Sequence, residues 1–345
     1  MIEEGLLLGV EEYWAAGWHG RTRFTVRDGL LHPSADATAT PDLELPGTLF
    51  PRLSDHHVHL GLIDAERLLP AGITSVVDLG WIPDAAAEWH TDSRYPGSTL
   101  PEVRIAGGML TCTGGYPAAS GWAPAGAAIE LADPAEAEKA VRAQVALGAS
   151  VIKVTLNSVA GPVPSDDLLT AIVLAARAHG VPVAAHTEGA GMARRALDAG
   201  VNAFAHTPFS EQLDTELIAR MSRAGTAVIS TLDIHGWGAP TRAFVVAQDN
   251  LRRFAAAGGR VRYGTDLGNG PLPVGVNARE LSAIADAGLD RDSVVESIAG
   301  SWAPDVIGPR FSWVPGLPPQ RPADVPAWLS TARGTTIDYL EETLA

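Results

Sequence analysis

The sequence predicts an α/β fold: a (β/α)8 TIM barrel with a small β-sandwich-like satellite built from the two ends of the chain. Short apolar runs alternate with helical stretches from about residue 50 onwards, and glycines follow many of the helical stretches. Eight strand–helix units over roughly 250 residues fit such a barrel in number and in length. A doubly wound nucleotide-binding sheet is the alternative, but neither a Gly-x-Gly-x-x-Gly sequence nor a P-loop occurs.

The barrel elements follow from apolar runs and from helical periodicity. The predicted strands are Leu49–Leu53, Ile73–Leu79, Val103–Ala106, Val151–Val154, Val183–His186, Ala203–His206, Ala227–Ser230 and Val261–Tyr263. The clearest helices are Pro134–Leu147, Asp166–His179, Ala190–Ala199, Asp214–Ala224, Thr241–Ala257 and Val276–Ala287. The glycines expected to end helices are Gly148, Gly180, Gly200, Gly225, Gly258 and Gly288.

The two ends of the chain differ from this array. Residues 1–48 contain strand and turn sequences without helical periodicity, and the tail is rich in proline and tryptophan. We therefore expect residues 1–48 and 309–345 to form one β-rich satellite domain, with residues 49–308 forming the barrel.

Composition and charge narrow the functional class. The chain is 46% hydrophobic and 19% charged, so it can bury a large core. Its net charge of −15 argues against nucleic acid or an anionic membrane as partner. A single cysteine, no membrane-length apolar run and an acidic start predict a cytoplasmic protein. We further expect a small-molecule substrate and a homo-oligomeric assembly.

The placement of lysine is unusual. The chain has 25 Lys and Arg residues, of which only Lys139 and Lys153 are lysines. Lys139 lies in a polar helical stretch, whereas Lys153 lies inside the apolar run Ser-Val-Ile-Lys-Val. A charged lysine is costly to bury unless it is paired or neutralised, so Lys153 is expected to have a chemical role.

Polar side chains gather at the predicted strand ends, where barrel active sites lie. The first strand leads into Asp55-His56-His57-Val58-His59, in which His57 and His59 point to the same side of an extended chain. Two imidazoles on one side suit a metal ion. The remaining candidates are Lys153 on the fourth strand, His186 on the fifth, His206 on the sixth and Asp266 after the eighth.

This set resembles the amidohydrolase superfamily, in its imidazolonepropionase-related and prolidase-like branch. The segment from Leu45-Pro-Gly to His57-Val-His59 is similar to the way the chain enters the barrel in that family. Ala71-Gly-Ile-Thr-Ser-Val-Val-Asp and Ala106-Gly-Gly-Met-Leu are similar to its second and third strands. The lysine separates the chain from imidazolonepropionase itself. Two departures are Tyr116, where the branch often has histidine, and a short C-terminal segment.

The resemblance implies a metal-dependent hydrolase with two divalent cations. His57, His59 and Asp266 would hold the first cation and His186 and His206 the second, with a CO₂-derived carbamate on Lys153 between them. Nitrogen and oxygen ligands suit zinc, with manganese, iron and cobalt as alternatives. A metal-bridging hydroxide would attack the carbonyl, and Asp266 would be the catalytic residue that transfers the proton.

The implied reaction is hydrolysis of a C–N bond in a small amide, cyclic amide or dipeptide-like substrate. Tyr116, Asn157 and His235 are the predicted substrate contacts, while Asp55 is expected to support the strand. Hydrolysis of a lactone, ester or phosphotriester by the same metal pair is an alternative. A catalytically silent barrel acting as a binding protein is another, although the complete ligand set argues against it.

Overall fold

The computed structural model describes residues 5–36, 38–95, 97–301, 303–337 and 340. The chain forms a mixed α/β fold, as predicted, with its strands in three sheets and the helices packed on the parallel ones. Across these ranges no helix is long and apolar enough to cross a membrane.

Two of the sheets are parallel. The three-stranded sheet has the order β5-β6-β7 and the seven-stranded sheet the order β14-β13-β12-β11-β10-β8-β9. The strands of the first are β5 (Ser54–Val58), β6 (Ser75–Asp78) and β7 (Glu102–Ile105). The strands of the second are β8 (Met109–Cys112), β9 (Ala128–Leu131), β10 (Ile152–Asn157), β11 (Val183–Glu188), β12 (Ala203–Phe204), β13 (Ala227–Ile229) and β14 (Arg260–Arg262). Every residue of β10 is buried, as expected for a parallel strand that is covered on both faces.

The third sheet joins the two ends of the chain. It is mixed, with the strand order β16-β15-β4-β1-β2-β3, and the two ends meet where β15 pairs with β4. Its strands are β1 (Leu7–Tyr13), β2 (Thr22–Arg27), β3 (Leu30–Pro33), β4 (Leu43–Phe50), β15 (Arg310–Val314) and β16 (Arg333–Thr336). Leu8, Phe24, Leu45 and Phe311 belong to its own buried cluster.

Helices follow most of the parallel strands. They are α1 (Pro83–Asp92), α2 (Ala137–Ala146), α3 (Asp166–Ala178), α4 (Met192–Asp198), α5 (Thr215–Arg223), α6 (Arg242–Ala256), α7 (Ala278–Asp286), α8 (Arg291–Ala299) and α9 (Val325–Leu329). Polar side chains begin several of them, as Ser165 does by accepting a hydrogen bond from the amide of Leu168. The six glycines predicted to follow helices all have φ between 67° and 95°.

The first predicted barrel strand was wrong in position. Leu49 and Phe50 belong to β4 of the terminal sheet, and the parallel strand begins only at Ser54. The apolar run hides this boundary, although Pro51 lies in it and cannot donate a ladder hydrogen bond. His57 consequently lies within β5, and His59 is the first residue after that strand.

The third predicted strand is followed at once by another. After β7 the backbone turns at Gly107, whose φ is 73°, and continues as β8, which pairs with β10. A Cβ atom on Gly108 would lie 2.6 Å from Ile129 Cγ1, so the turn has no room for a larger residue. Through this turn the chain passes from the three-stranded sheet to the seven-stranded one.

Backbone and side-chain hydrogen bonds link β5 with the segment that follows β14. The amide of Asp266 donates to the carbonyl of His57 at 2.8 Å, and the amide of His59 donates to Leu267 at 2.9 Å. The buried carboxylate of Asp55 accepts from the amide of His57 at 3.0 Å and from the hydroxyl of Thr265 at 2.6 Å. Asp55 therefore supports the strand, and these bonds bring His57 and His59 next to Asp266.

We expect Gly264→Ala to disturb this junction. A Cβ atom at residue 264 would lie 2.3 Å from Ile229 Cγ2 and 3.2 Å from the amide nitrogen of His57. Overpacking of this kind costs about 1–3 kcal/mol, which urea unfolding would measure as a lower free energy of unfolding. The matched control is Gly308→Ala, because a Cβ atom there meets nothing within 4 Å. Equal stability of the two variants would contradict the close packing described here.

Candidate metal centre

His57, His59 and Asp266 form a compact group of possible metal ligands. The Nε2 atoms of His57 and His59 lie 3.3 Å and 3.2 Å from Asp266 Oδ1. One ligand atom from each residue lies within 4.8 Å of the others, and all three side chains are buried. Asp266 has a φ of 57°, which is uncommon for a residue other than glycine and is typical of functional sites. This group could hold a metal ion.

His186 and His206 continue the group on the neighbouring strands. The ring centroids of His57 and His206 are 4.7 Å apart, and those of His186 and His206 are 4.9 Å apart. Lys153 is 2% exposed and lines the same cavity as these imidazoles. The five predicted ligands and the lysine therefore surround one space.

The Nδ1 atoms of three imidazoles form hydrogen bonds. His57 Nδ1 pairs with the carbonyl of Ala205 at 2.8 Å and His59 Nδ1 with the carbonyl of Gly80 at 2.9 Å. Because a carbonyl only accepts, Nδ1 of both rings carries the proton and Nε2 has a free lone pair. His206 Nδ1 lies 2.9 Å from Thr231 Oγ1. Imidazoles that ligate metals have this arrangement.

Two imidazole nitrogen atoms of this group indicate that a cation fits the site. His57 Nε2 and His186 Nε2 are buried and have no hydrogen-bond partner within the described part of the chain. A buried polar atom without a partner is costly, and nitrogen and carboxylate oxygen donors together suit a divalent cation. The donor set is therefore consistent with the metal ligands that the sequence predicts.

Burial determines the charge of these groups. It lowers the pKa of both His57 and His206 well below the ordinary histidine value, so both rings are neutral at neutral pH. Burial acts to raise the pKa of Asp266, but protonated imidazoles at His57 and His59 would outweigh it, so that pKa lies well below its usual range and the carboxylate is ionised at neutral pH. Cations bind to neutral imidazoles and to ionised carboxylates, so these groups have the protonation states that a metal site requires.

Lys153 is tuned by the same surroundings. Burial lowers its pKa to about 8, although the carboxylates of Asp266 and Asp78 favour its charged form. A substantial fraction of the amine is consequently neutral just above neutral pH, which is the reactive form.

The cavity above the histidines has a volume of about 220 Å³. Tyr116 stacks on His186 with ring centroids 5.0 Å apart, and its hydroxyl accepts a hydrogen bond from Trp122 Nε1 at 3.0 Å. His235 also lines the cavity, and its ring centroid lies 4.2 Å from that of Phe209. Burial lowers the pKa of His235 to about 4, so this ring is neutral as well. The predicted substrate contacts Tyr116 and His235 thus both line the cavity.

Asn157 is placed differently from the prediction. Its Nδ2 donates to Glu188 Oε2 at 2.7 Å and its Oδ1 accepts from the amides of Val159 and Ala160, while the cavity is lined by Glu188 instead. Glu188 Oε2 lies 3.5 Å from His186 Nε2. Sequence reasoning missed Glu188, although its position two residues after His186 on one strand puts both side chains on the same face.

A buried carboxyl network supports the turn that carries His235. Glu280 Oε2 accepts from the amide of Asp233 at 2.7 Å, and Asp233 Oδ2 accepts from Asn277 Nδ2 at 2.8 Å. Arg279 pairs with Asp233 at 2.9 Å. Burial raises the pKa of Glu280 to about 7. Helix α7 thereby fixes the loop after β13, and with it one wall of the cavity.

We expect Glu280 to make stability depend on pH. Between pH 4.5 and about 7 the folded protein keeps a proton on Glu280 that the unfolded chain has lost. Because the folded state binds more protons there, the free energy of unfolding falls as pH rises through this window, by about 3 kcal/mol. Glu280→Gln should flatten this part of the profile, measured by urea unfolding at pH 5 and pH 8. Asp286→Asn, on the exposed side of the same helix, is the control, and parallel profiles for Glu280→Gln and the parent would contradict this account.

The comparisons with known proteins agree on the fold. No protein-family model and no curated protein matches the chain. Among solved structures, the chain resembles a Xaa-Pro dipeptidase with 19% identity and a TM-score of 0.74, over 95% of this chain and 97% of that one. It also resembles the ochratoxinase of A. niger, with 18% identity and a TM-score of 0.74 over 95% and 93% of the two chains.

An amidohydrolase is similar over 94% of this chain and 95% of its own, with 19% identity and a TM-score of 0.70. At these identities the likeness concerns the fold. The chain thus has the fold of solved hydrolases that include prolidase-like amidohydrolases, as the resemblance in its sequence predicts.

Proposed function

We propose that this chain is a metal-dependent enzyme that hydrolyses the C–N bond of a small amide, cyclic amide or dipeptide-like substrate. The observation that carries the proposal is the convergence of five imidazoles, two carboxylates and one buried lysine on a single cavity, among them all six predicted metal ligands. The solved structures that share the fold are named as hydrolases of this kind, which supports the same reaction class.

We also propose that the two parallel sheets form one closed (β/α)8 barrel that begins at Ser54 and ends near residue 308, with the strands of residues 1–50 and 309–345 as its satellite domain. The bridge between Val58 and Leu267 and the hydrogen bond from Asp266 to His57 support closure between the first and last strands. The turn at Gly107 supports continuity between the two sheets.

Two divalent cations, zinc in the first instance, would occupy the site. His57, His59 and Asp266 would hold one, His186 and His206 the other, and a carbamate on Lys153 would lie between them. When bound, such cations polarise a carbonyl group and lower the pKa of a water molecule. The buried nitrogens of His57 and His186 that have no hydrogen-bond partner support this assignment.

Asp266 would move the proton. Its Oδ1 faces His57 and His59 and accepts from Asn269 Nδ2 at 2.9 Å. That leaves Oδ2 to take the proton that the attacking water loses and to pass it to the leaving nitrogen. Asp266 is ionised at neutral pH, so its carboxylate can accept a proton when water attacks.

The remaining lining residues would hold the substrate. A cavity of about 220 Å³ is below the range of pockets for drug-sized ligands, which favours a small substrate. Tyr116 and Trp122 offer an aromatic wall. His235 Nε2 is buried and has no hydrogen-bond partner among the described residues, so the neutral ring can hydrogen-bond a polar group of the substrate.

A substrate panel tests the reaction class. Purified, metal-replete protein would be assayed with dipeptides, hydantoins, lactones and organophosphates under the same conditions. We expect turnover of an amide or dipeptide to exceed that of the other classes. Turnover of lactones or organophosphates alone would move the protein to the alternative chemistry, and no turnover with both cations bound would favour a binding protein.

Asp266→Asn should separate proton transfer from metal binding. An amide oxygen can still ligate a cation, so much of the metal should remain, whereas kcat should fall by about 10²–10⁴-fold because the proton acceptor is lost. Steady-state kinetics and metal analysis of the same samples measure both effects. The control is Asp286→Asn, which removes an exposed carboxylate that does not line the cavity. Near-parental kcat of Asp266→Asn with both cations bound would show that another group transfers the proton.

The two lysines allow a direct test of the carbamate. Protein equilibrated with ¹³C-bicarbonate should give one carbamate carbon signal by NMR, which Lys153→Ala abolishes and Lys139→Ala keeps. The signal should weaken as pH falls below about 8, because only the neutral amine adds CO₂. Metal content and turnover should fall with Lys153→Ala alone. A signal that survives Lys153→Ala, or full metal content and turnover in that variant, would refute the bridging role.

A further inference from the structure

A second polar cavity lies away from the candidate metal centre. It has a volume of about 250 Å³ and is lined by Arg52, Ser54, His56, Arg104, Arg262 and Ser301 among the described residues. Ser54 begins β5, and Arg262 is the last residue of β14, four residues before Asp266. The cavity therefore lies toward the amino-terminal ends of strands whose carboxyl ends carry the metal-ligand candidates.

The charges around this cavity are unbalanced. Three guanidinium groups line it, and no carboxylate appears among its described lining residues. The nearby carboxylate of Glu102 already pairs with Arg52 at 2.8 Å. Burial lowers the pKa of Arg104, and the neighbouring charges of Arg52 and Arg262 act in the same direction. Partly buried like charges destabilise a protein unless an opposite charge compensates them.

One arginine nitrogen at this cavity has an unused hydrogen-bond donor. Arg104 Nε is buried and makes no hydrogen bond to any described residue. A guanidinium presents its N–H groups as a planar fork that matches two oxygen atoms of a phosphate or carboxylate. The hydroxyls of Ser54 and Ser301 add donors to the same wall. An oxyanion would satisfy both the unpaired donor and the excess charge.

We propose that the cavity between Arg52, Arg104 and Arg262 is a binding site for a small oxyanion of the phosphate type. The bound anion would join β5, β7 and β14, because each of these strands contributes a lining residue. The site is independent of the hydrolase reaction, since none of its residues lines the catalytic cavity.

Inorganic phosphate is the probe that tests the site. Metal-replete protein would be titrated with phosphate by isothermal calorimetry at constant ionic strength, with chloride as the compensating anion. We expect saturable binding that Arg104→Gln weakens at least tenfold. Arg142→Gln is the matched control, because it removes the same charge from the exposed face of α2 and should leave phosphate affinity unchanged. Phosphate held by the catalytic cations would bind equally in both variants, so only the difference between them reports this cavity.

Thermal unfolding supplies a second measurement. In chloride, Arg104→Gln should unfold at the parental temperature or above it, since the substitution relieves repulsion between arginines. In saturating phosphate the order should reverse, because only the parent gains stability from the bound anion. Arg262→Gln should behave in the same way, and it remains informative if Arg104→Gln does not fold.

The proposal is overturned if the parent shows no saturable response to phosphate. It is also overturned if Arg104→Gln and Arg262→Gln both bind phosphate as Arg142→Gln does. Arg104→Lys gives a finer outcome: it keeps the charge but loses the fork, so an affinity between those of the parent and Arg104→Gln is expected. An affinity for Arg104→Lys equal to that of Arg104→Gln would mean that fork geometry, more than charge, holds the anion.

Discussion

The hydrogen bond from the amide of Asp266 to the carbonyl of His57 is the constraint on which the candidate site depends. It holds two segments that lie more than two hundred residues apart in sequence at 2.8 Å. The buried Asp55 carboxylate reinforces it from both sides, because it accepts hydrogen bonds from His57 and from Thr265. Without this junction the imidazoles of β5 would have no carboxylate opposite them.

Burial then determines what the assembled groups can do. A water-exposed imidazole titrates near neutral pH, whereas those of His57 and His206 stay neutral, and Lys153 loses its proton near pH 8. The same burial leaves His57 Nε2 and His186 Nε2 without hydrogen-bond partners among the described residues, which costs stability unless a ligand or ordered water compensates. Stability and function are therefore linked through the same side chains.

The local sequence pattern predicted much of this arrangement, but it could not predict which distant residues become neighbours in the fold. Alternation along β5 indicated that His57 and His59 share a face, and the apolar run around Lys153 indicated a buried amine. The boundary before Ser54 was missed because one apolar run contains parts of two sheets. Asn157 was assigned to the substrate because it lies at a strand end. The sequence carries no sign that its side-chain amide donates a hydrogen bond to Glu188 instead. The arginine cavity gave no signal, since Arg52, Arg104 and Arg262 become neighbours only when distant strands meet.

We propose that two divalent cations lie between the imidazoles of β5, β11 and the segment after β12. Anomalous diffraction at the zinc or manganese edge, from crystals of metal-replete protein, tests it most directly. The account predicts two peaks, one bounded by His57, His59 and Asp266 and one by His186 and His206, with Lys153 reaching both. A single peak in a fully active sample, or peaks remote from these side chains, would contradict it.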